Sequence, residues 1–151
     1  MQVIEEGVRL KLTKMPTPMS ARARGDPQQL KDLLDKMVER GVVRRLTQEE
    51  ISRTQFWTPV FGVPKRDSDE LRLITDLRSI NKLLHTPKFK QATWASLLTV
   101  LVEPKARFAV WADLKDFYHH LGLHKESSRW TMVAQQGYEF IGLPFGLSSS
   151  P

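Results

Sequence analysis

Cysteine does not occur among the 151 residues, which removes disulfide frameworks, thiolate nucleophiles and Cys-based zinc sites together. Any bound metal must then rely on oxygen or imidazole ligands. Apolar runs of membrane-spanning length are also missing. The opening MQVIEEGVRLKL carries two glutamates where a secretory leader has a basic stretch followed by an apolar core. The expectation is a soluble intracellular chain with no membrane partner. What is present in excess is positive charge: 23 Lys+Arg against 17 Asp+Glu leave a formal charge of +6, which favours an anionic partner such as nucleic acid. Many soluble proteins share that balance, so charge alone does not assign a function.

The first 25 residues read as an N-terminal arm, because KMPTPMSARARG mixes prolines, small residues and isolated cations without helical or strand periodicity. DPQQLKDLLDKMVERG then predicts a helix. Asp26 stands at the N-cap, Pro27 at the first helical position, Leu30, Leu33, Leu34, Met37 and Val38 form one stripe, and Gly41 is the stop. Thr47 and Glu50 have capping-box spacing for a second, shorter helix. WTPVFGVPKRDSDELRLITDLR predicts a hairpin with a strand near Val60 to Val63 returning as LRLIT, and alternation turns Arg72 away from Leu71 and Leu73. TWASLLTVLVEP has helical spacing, RFAVWAD predicts a buried strand ending in Asp113, HKESS a polar turn, and WTMVA and YEFIG two strands joined across QQG. The order implies an α+β fold with an antiparallel sheet.

Several of these segments carry residues with a chemical as well as a structural reading. Asp113 and Asp116 sit where a strand end can present carboxylates to Mg2+, although single Asp-rich turns commonly pair with backbone N–H groups instead. His119, His120 and His124 could suggest zinc, but Gly122 inside the segment and the lack of cysteine disfavour it. Lys65, Arg66 and Arg72 flank the hairpin turn and could fold over a triphosphate, or equally form a solvated basic hairpin. LPFGLSSSP is an apolar stretch opening into a Ser-rich turn, with Gly146 allowing close backbone approach.

In order and spacing, VPKRDSDELRLITDLRSINK, ADLKDFYHH and YEFIGLPFGLSSSP resemble the reverse transcriptases of retroelements, RNA-directed DNA polymerases. DLKDFYHH and LPFGLSSSP are closest in wording to the DIRS-type retrotransposons that carry a tyrosine recombinase. The resemblance implies a fingers-like helix and hairpin over residues 26–84 and a partial palm over 85–151 that ends in the PFGL segment. It implies template-directed DNA synthesis on an RNA or DNA template-primer from deoxynucleoside triphosphates, with Mg2+ as the cofactor. In that reading Asp113 is the catalytic, metal-binding aspartate and the Leu114 carbonyl a further metal ligand. Tyr118 lies under the incoming sugar and leaves no room for a 2′-hydroxyl. Lys65 and Arg72 clamp the triphosphate, and Asp116 and Phe145 lie beside the nucleotide. Asp76, Arg78 and Asn81 brace the fingers near the template.

The sequence departs from the family at the hairpin turn, where DSDE carries three carboxylates in place of the usual lysines and glycine, and at Trp111 and Ala112 before the aspartate. No adjacent Asp-Asp pair occurs in the 151 residues, so the family's Y-x-D-D hairpin is not represented. These residues alone are therefore expected to be inactive and to need the remainder of a polymerase as partner. The alternative is a non-enzymatic module binding nucleic acid or a protein assembly. An exposed apolar face that includes Val110 and Phe140 is expected on the sheet.

Overall fold

A computed structural model describes residues 6–20, 23–66, 70–85, 92–102, 108, 110, 112–133 and 137–148. Helix α1, Pro27–Glu39, begins as the sequence predicts: the Asp26 carboxylate accepts from the N–H groups of Gln28 (2.7 Å) and Gln29 (3.3 Å). Its stripe buries Leu30 and Leu34 completely, with Leu33, Met37 and Val38 packed at the rim of the core. Gly41, at φ +70°, reverses the chain. It then runs into strand β1, Val43–Arg45, and helix α2, Gln48–Arg53, which is capped reciprocally by Thr47 and Glu50.

Strands β2, Val60–Pro64, and β3, Leu71–Thr75, pair antiparallel from Val60 opposite Thr75 to Pro64 opposite Leu71. The Lys65 N–H to Glu70 C=O bond, 2.9 Å, extends the ladder toward the turn, whose residues 67–69 lie outside the described ones. Helix α3 is Arg78–Asn81 and helix α4 is Trp94–Leu101. After a 3-10 turn at Phe117–His120 come helix α5, Lys125–Ser128, a second 3-10 turn at Arg129–Thr131, and strands β4, Met132–Val133, and β5, Tyr138–Phe140. The HKESS segment is thus a short helix where a plain turn was expected, because His124 Nδ1 caps it by accepting from Glu126 N–H at 3.2 Å.

The second sheet has the order β1-β5-β4, antiparallel throughout, with Val43 opposite Phe140 and Met132 opposite Glu139. Phe140 was expected on an open face and is instead fully buried: β5 is the central strand and its side chains enter the core shared with Leu30, Val60, Ile80 and Val133. Because β1 pairs with β5, a division of the chain near residue 84 cuts through a hydrogen-bonded sheet. A staple joins α1 to this sheet, where the Tyr138 hydroxyl donates to Asp35, which also receives Arg45 (2.8 Å) and Lys31 (2.9 Å). The Tyr138 hydroxyl and these cations hold the Asp35 carboxyl well below the usual carboxylate range. The buried Glu139 is tied to Arg44, itself paired with Glu50, and accepts from Ser128 Oγ at 2.6 Å. A carboxylate in the interior requires such partners.

The N-terminal arm lies along the body as a strap. Val8 N–H donates to Gly122 C=O (2.7 Å), Thr13 N–H to Leu83 C=O (2.7 Å), Met19 N–H to Gln55 C=O (2.8 Å) and Arg24 N–H to Val60 C=O (2.9 Å).

Residues 107, 109 and 111 of the strand expected to end in Asp113 lie outside the described ones. Phe108 and Val110 are more than 90% exposed, and Ala112 and Asp113 are exposed without strand pairing. Among the described residues no helix is long and apolar enough to cross a membrane.

Candidate functional site

A cleft of about 910 Å³ opens between α1, the β2–β3 hairpin and residues 115–119, with Phe145 at its edge. Each wall follows from local structure. Arg72 is exposed on β3 because alternation sends its neighbour Leu73 into the core. Lys65 stands just past β2, ion-paired to Glu70. Lys36 of α1 and Arg40 at its C-cap lie one turn apart beside Leu33 and Met37, which line the same wall.

The third wall depends on Asp116, the one described non-glycine residue with positive φ, at +54°. That left-handed step swings the chain from Lys115 into the 3-10 turn, and the Asp116 carboxylate meets Arg40 at 3.5 Å. The turn sets Tyr118 and His119 edge-on against Phe145, at ring separations of 5.7 and 4.6 Å. His119 also lines the cleft, and its buried Nε2 has no hydrogen-bond partner. Burial lowers its pKa, favouring the neutral ring, against a weaker pull from Asp116.

Behind the cleft, Asp76 takes Arg78 bidentately (2.8 and 2.6 Å), which lowers the Asp76 pKa. Asn81 bonds the 146–148 turn on both sides. Of the residues singled out in the sequence, then, Lys65, Arg72, Asp116 and Phe145 meet in one cleft, with Tyr118 against Phe145. Asn81 contacts the turn that follows Phe145, whereas Asp76 and Arg78 pair with each other. Asp113 and Leu114 are exposed and are not among the cleft-lining residues.

The three histidines do not converge: His119 faces Phe145, His120 Nε2 lies 3.3 Å from the Lys115 carbonyl, and His124 caps α5. Among the described residues no three His, Asp or Glu side chains are grouped to hold a metal. One carboxylate and one carbonyl fall short of the oxygen shell Mg2+ requires, so the residues present do not by themselves make a magnesium site.

Sequence reasoning missed Lys36, Arg40, Lys115, His119 and Glu70 as cleft residues. Lys36 and Arg40 sit at i and i+4 beside the apolar stripe, a spacing that could have flagged a cationic edge. Together the walls carry five Lys/Arg side chains and three carboxylates, beside an aromatic cluster. This arrangement suits an anionic ligand with a flat group attached.

No protein-family model matches the chain. It is 31% identical over 119 residues, 72% of its length, to the retrovirus-related Pol polyprotein from transposon 412 of Drosophila melanogaster. It is 32% identical over 98 residues, 62% of its length, to the Gag-Pol polyprotein of Walleye dermal sarcoma virus. The chain spans only 10% and 5% of those polyproteins. Among solved structures, the foamy viral protease-reverse transcriptase in complex with double-stranded DNA matches with a TM-score of 0.66 at 21% identity, over 93% of this chain and 24% of that one. The Prototype Foamy Virus protease-reverse transcriptase CSH mutant matches with a TM-score of 0.63 at 23% identity, over 90% of this chain and 18% of that one. The chain is therefore similar to a part of retroviral and transposon Pol polyproteins, and its α+β fold is reverse-transcriptase-like.

Proposed function

We propose that this chain is the nucleotide-binding part of a retroelement reverse transcriptase, serving template-directed DNA synthesis from deoxynucleoside triphosphates. One observation carries the reading: Lys65, Arg72, Asp116 and Phe145, spread over 80 positions of sequence, line a single cleft. In this reading Lys65 and Arg72 bind the triphosphate with charge-assisted hydrogen bonds, and Phe145 and Tyr118 form the platform for the sugar and base. Asp116 sets the turn through its backbone. Asp113 and the Leu114 carbonyl are two members of a Mg2+ ligand set that the 151 residues do not complete. The β1–β5 pairing supports a fingers unit made of residues 26–85 and 121–148 together, with 92–120 reaching toward a palm. The wording of DLKDFYHH and LPFGLSSSP supports kinship with DIRS-type elements.

Primer extension tests the proposal. The 151 residues are compared with a chain continued through a relative's Y-x-D-D hairpin and thumb, each with and without Asp113→Asn. The expected result is extension by the longer chain alone, abolished by Asp113→Asn. Extension by the short chain that Asp113→Asn abolishes would show that these residues are active by themselves. Nucleic-acid binding without extension by either chain would favour the non-enzymatic module.

A further inference from the structure

We propose that the cleft contains a polyphosphate subsite wider than the hairpin pair, formed by Lys36, Lys65, Arg72 and Lys115, and that Glu70 occupies it as an internal counter-ion which an incoming polyphosphate displaces. Lys65 and Glu70 face each other across the open end of the hairpin, joined by the backbone bond of 2.9 Å and by an ion pair between their side chains. The Lys65 ammonium, with Lys36 of α1 and Lys115 of the opposite wall behind it, holds the Glu70 carboxyl below its ordinary range. Three elements thus direct positive charge at one carboxylate.

Among the described residues, the rest of the charge in the cleft is arranged to leave those cations available. Arg40 is engaged by Asp116 at 3.5 Å. Asp32 accepts from the Gln28 amide at 2.8 Å. Among the described residues Lys36, Arg72 and Lys115 make no ion pair. A single carboxylate on an exposed ion pair is held weakly, so a ligand with several negative charges outcompetes it while engaging more cations at once. Glu70, one of the three carboxylates of the hairpin turn that on sequence weaken the field for a triphosphate, thereby becomes a gate that favours polyanions over single anions. The inference deepens the nucleotide reading and rests on it for the identity of the natural ligand.

Calorimetric titration of the chain with inorganic tripolyphosphate tests the subsite, because that probe has no sugar or base. Glu70→Gln is expected to tighten binding about two- to fivefold, and Lys36→Gln and Lys115→Gln each to weaken it by a similar factor. All three positions are exposed, so the folded state is retained. Binding unchanged or weakened by Glu70→Gln overturns the counter-ion role. Binding that falls with Lys65→Gln but ignores Lys36→Gln and Lys115→Gln overturns the wider subsite. A parallel titration with dTTP separates this inference from the reading it rests on. If the tripolyphosphate responses are as expected while dTTP binds no tighter than tripolyphosphate, the subsite stands and the nucleotide reading falls.

Discussion

The Asn81 side chain closes on the turn at Gly146 from both sides: its Nδ2 donates to the Gly146 carbonyl at 2.7 Å, and its Oδ1 accepts from the Ser148 N–H at 2.9 Å. An asparagine one helix beyond the hairpin thereby fixes the loop that carries Phe145. Asn81→Ala is expected to lower the unfolding free energy by about 1–2 kcal/mol, the net worth of two hydrogen bonds. Asn81→Asp keeps an acceptor for Ser148 but loses the donor to Gly146, and should fall between. Urea midpoints measure both, and an Asn81→Ala midpoint equal to the parent's would remove the bracing role.

Gly146 is held at φ +98°, and a Cβ placed there would lie 3.2 Å from the Thr75 carbonyl oxygen. Gly146→Ala meets backbone strain and a close contact together, and about 1–2 kcal/mol of destabilisation is expected. If the substitution leaves thermal unfolding unaltered, the turn adopts another conformation in solution.

What the sequence made legible was local. Asp26 followed by Pro27, Thr47 with Glu50, and the alternation through LRLIT each mark their element without outside help, and each is found where expected. The four cleft residues were legible through the order of motifs. The α1 wall was not: a lysine and an arginine on the polar face of an amphipathic helix look alike whether they face bulk water or a cleft. Strand β1 is three residues long, and its partner Phe140 lies almost a hundred positions away, so neither alternation nor turn chemistry announces the pairing. RFAVWAD has a composition that suits a strand, but residues 107, 109 and 111 lie outside the described ones.

Glu50 links the cap of α2 to the central sheet through Arg44, at 2.8 and 3.1 Å. The Arg44 guanidinium, aided by the Thr47 N–H, lowers the Glu50 pKa from 4.5 to about 2. A depressed folded-state pKa contributes stability that is complete above the unfolded value and lost as pH falls through the folded one. Stability should therefore decline on acidification from about pH 4.5 toward 2, and the decline should be shallower in Glu50→Gln. Glu50 is partly exposed, so the effect is modest and reduced by salt. Urea midpoints between neutral pH and about pH 3 provide the measurement, and parallel curves for the two proteins would assign the acid sensitivity elsewhere.

From the cationic cleft and the net charge of +6, weak, sequence-indifferent binding of a primer-template is expected. Even two phosphates neutralised imply an affinity loss of about tenfold between about 50 and 200 mM salt. Titration of a labelled duplex at several ionic strengths reads this directly. Affinity that ignores salt, or that differs strongly between unrelated sequences, would contradict an electrostatic contact.

Helix α4 is apolar yet buries none of its residues: Trp94 is 79% exposed, Leu98 54% and Val100 64%. Eight residues are too few for a helix to be stable on its own in water, so the Thr93–Ser96 capping box and backbone ladder are its main local support. Such an exposed apolar patch drives self-association. Leu98→Glu should change the unfolding free energy by no more than about 0.5 kcal/mol, as exposed substitutions do. It should also raise the concentration at which the chain self-associates. Leu34→Ala, at a fully buried site on α1, should by contrast cost about 2–5 kcal/mol. Urea unfolding beside sedimentation of the same proteins distinguishes the two effects, and the contrast is the test: if Leu98→Glu destabilises as Leu34→Ala does, α4 is packed in solution and the apolar face is closed.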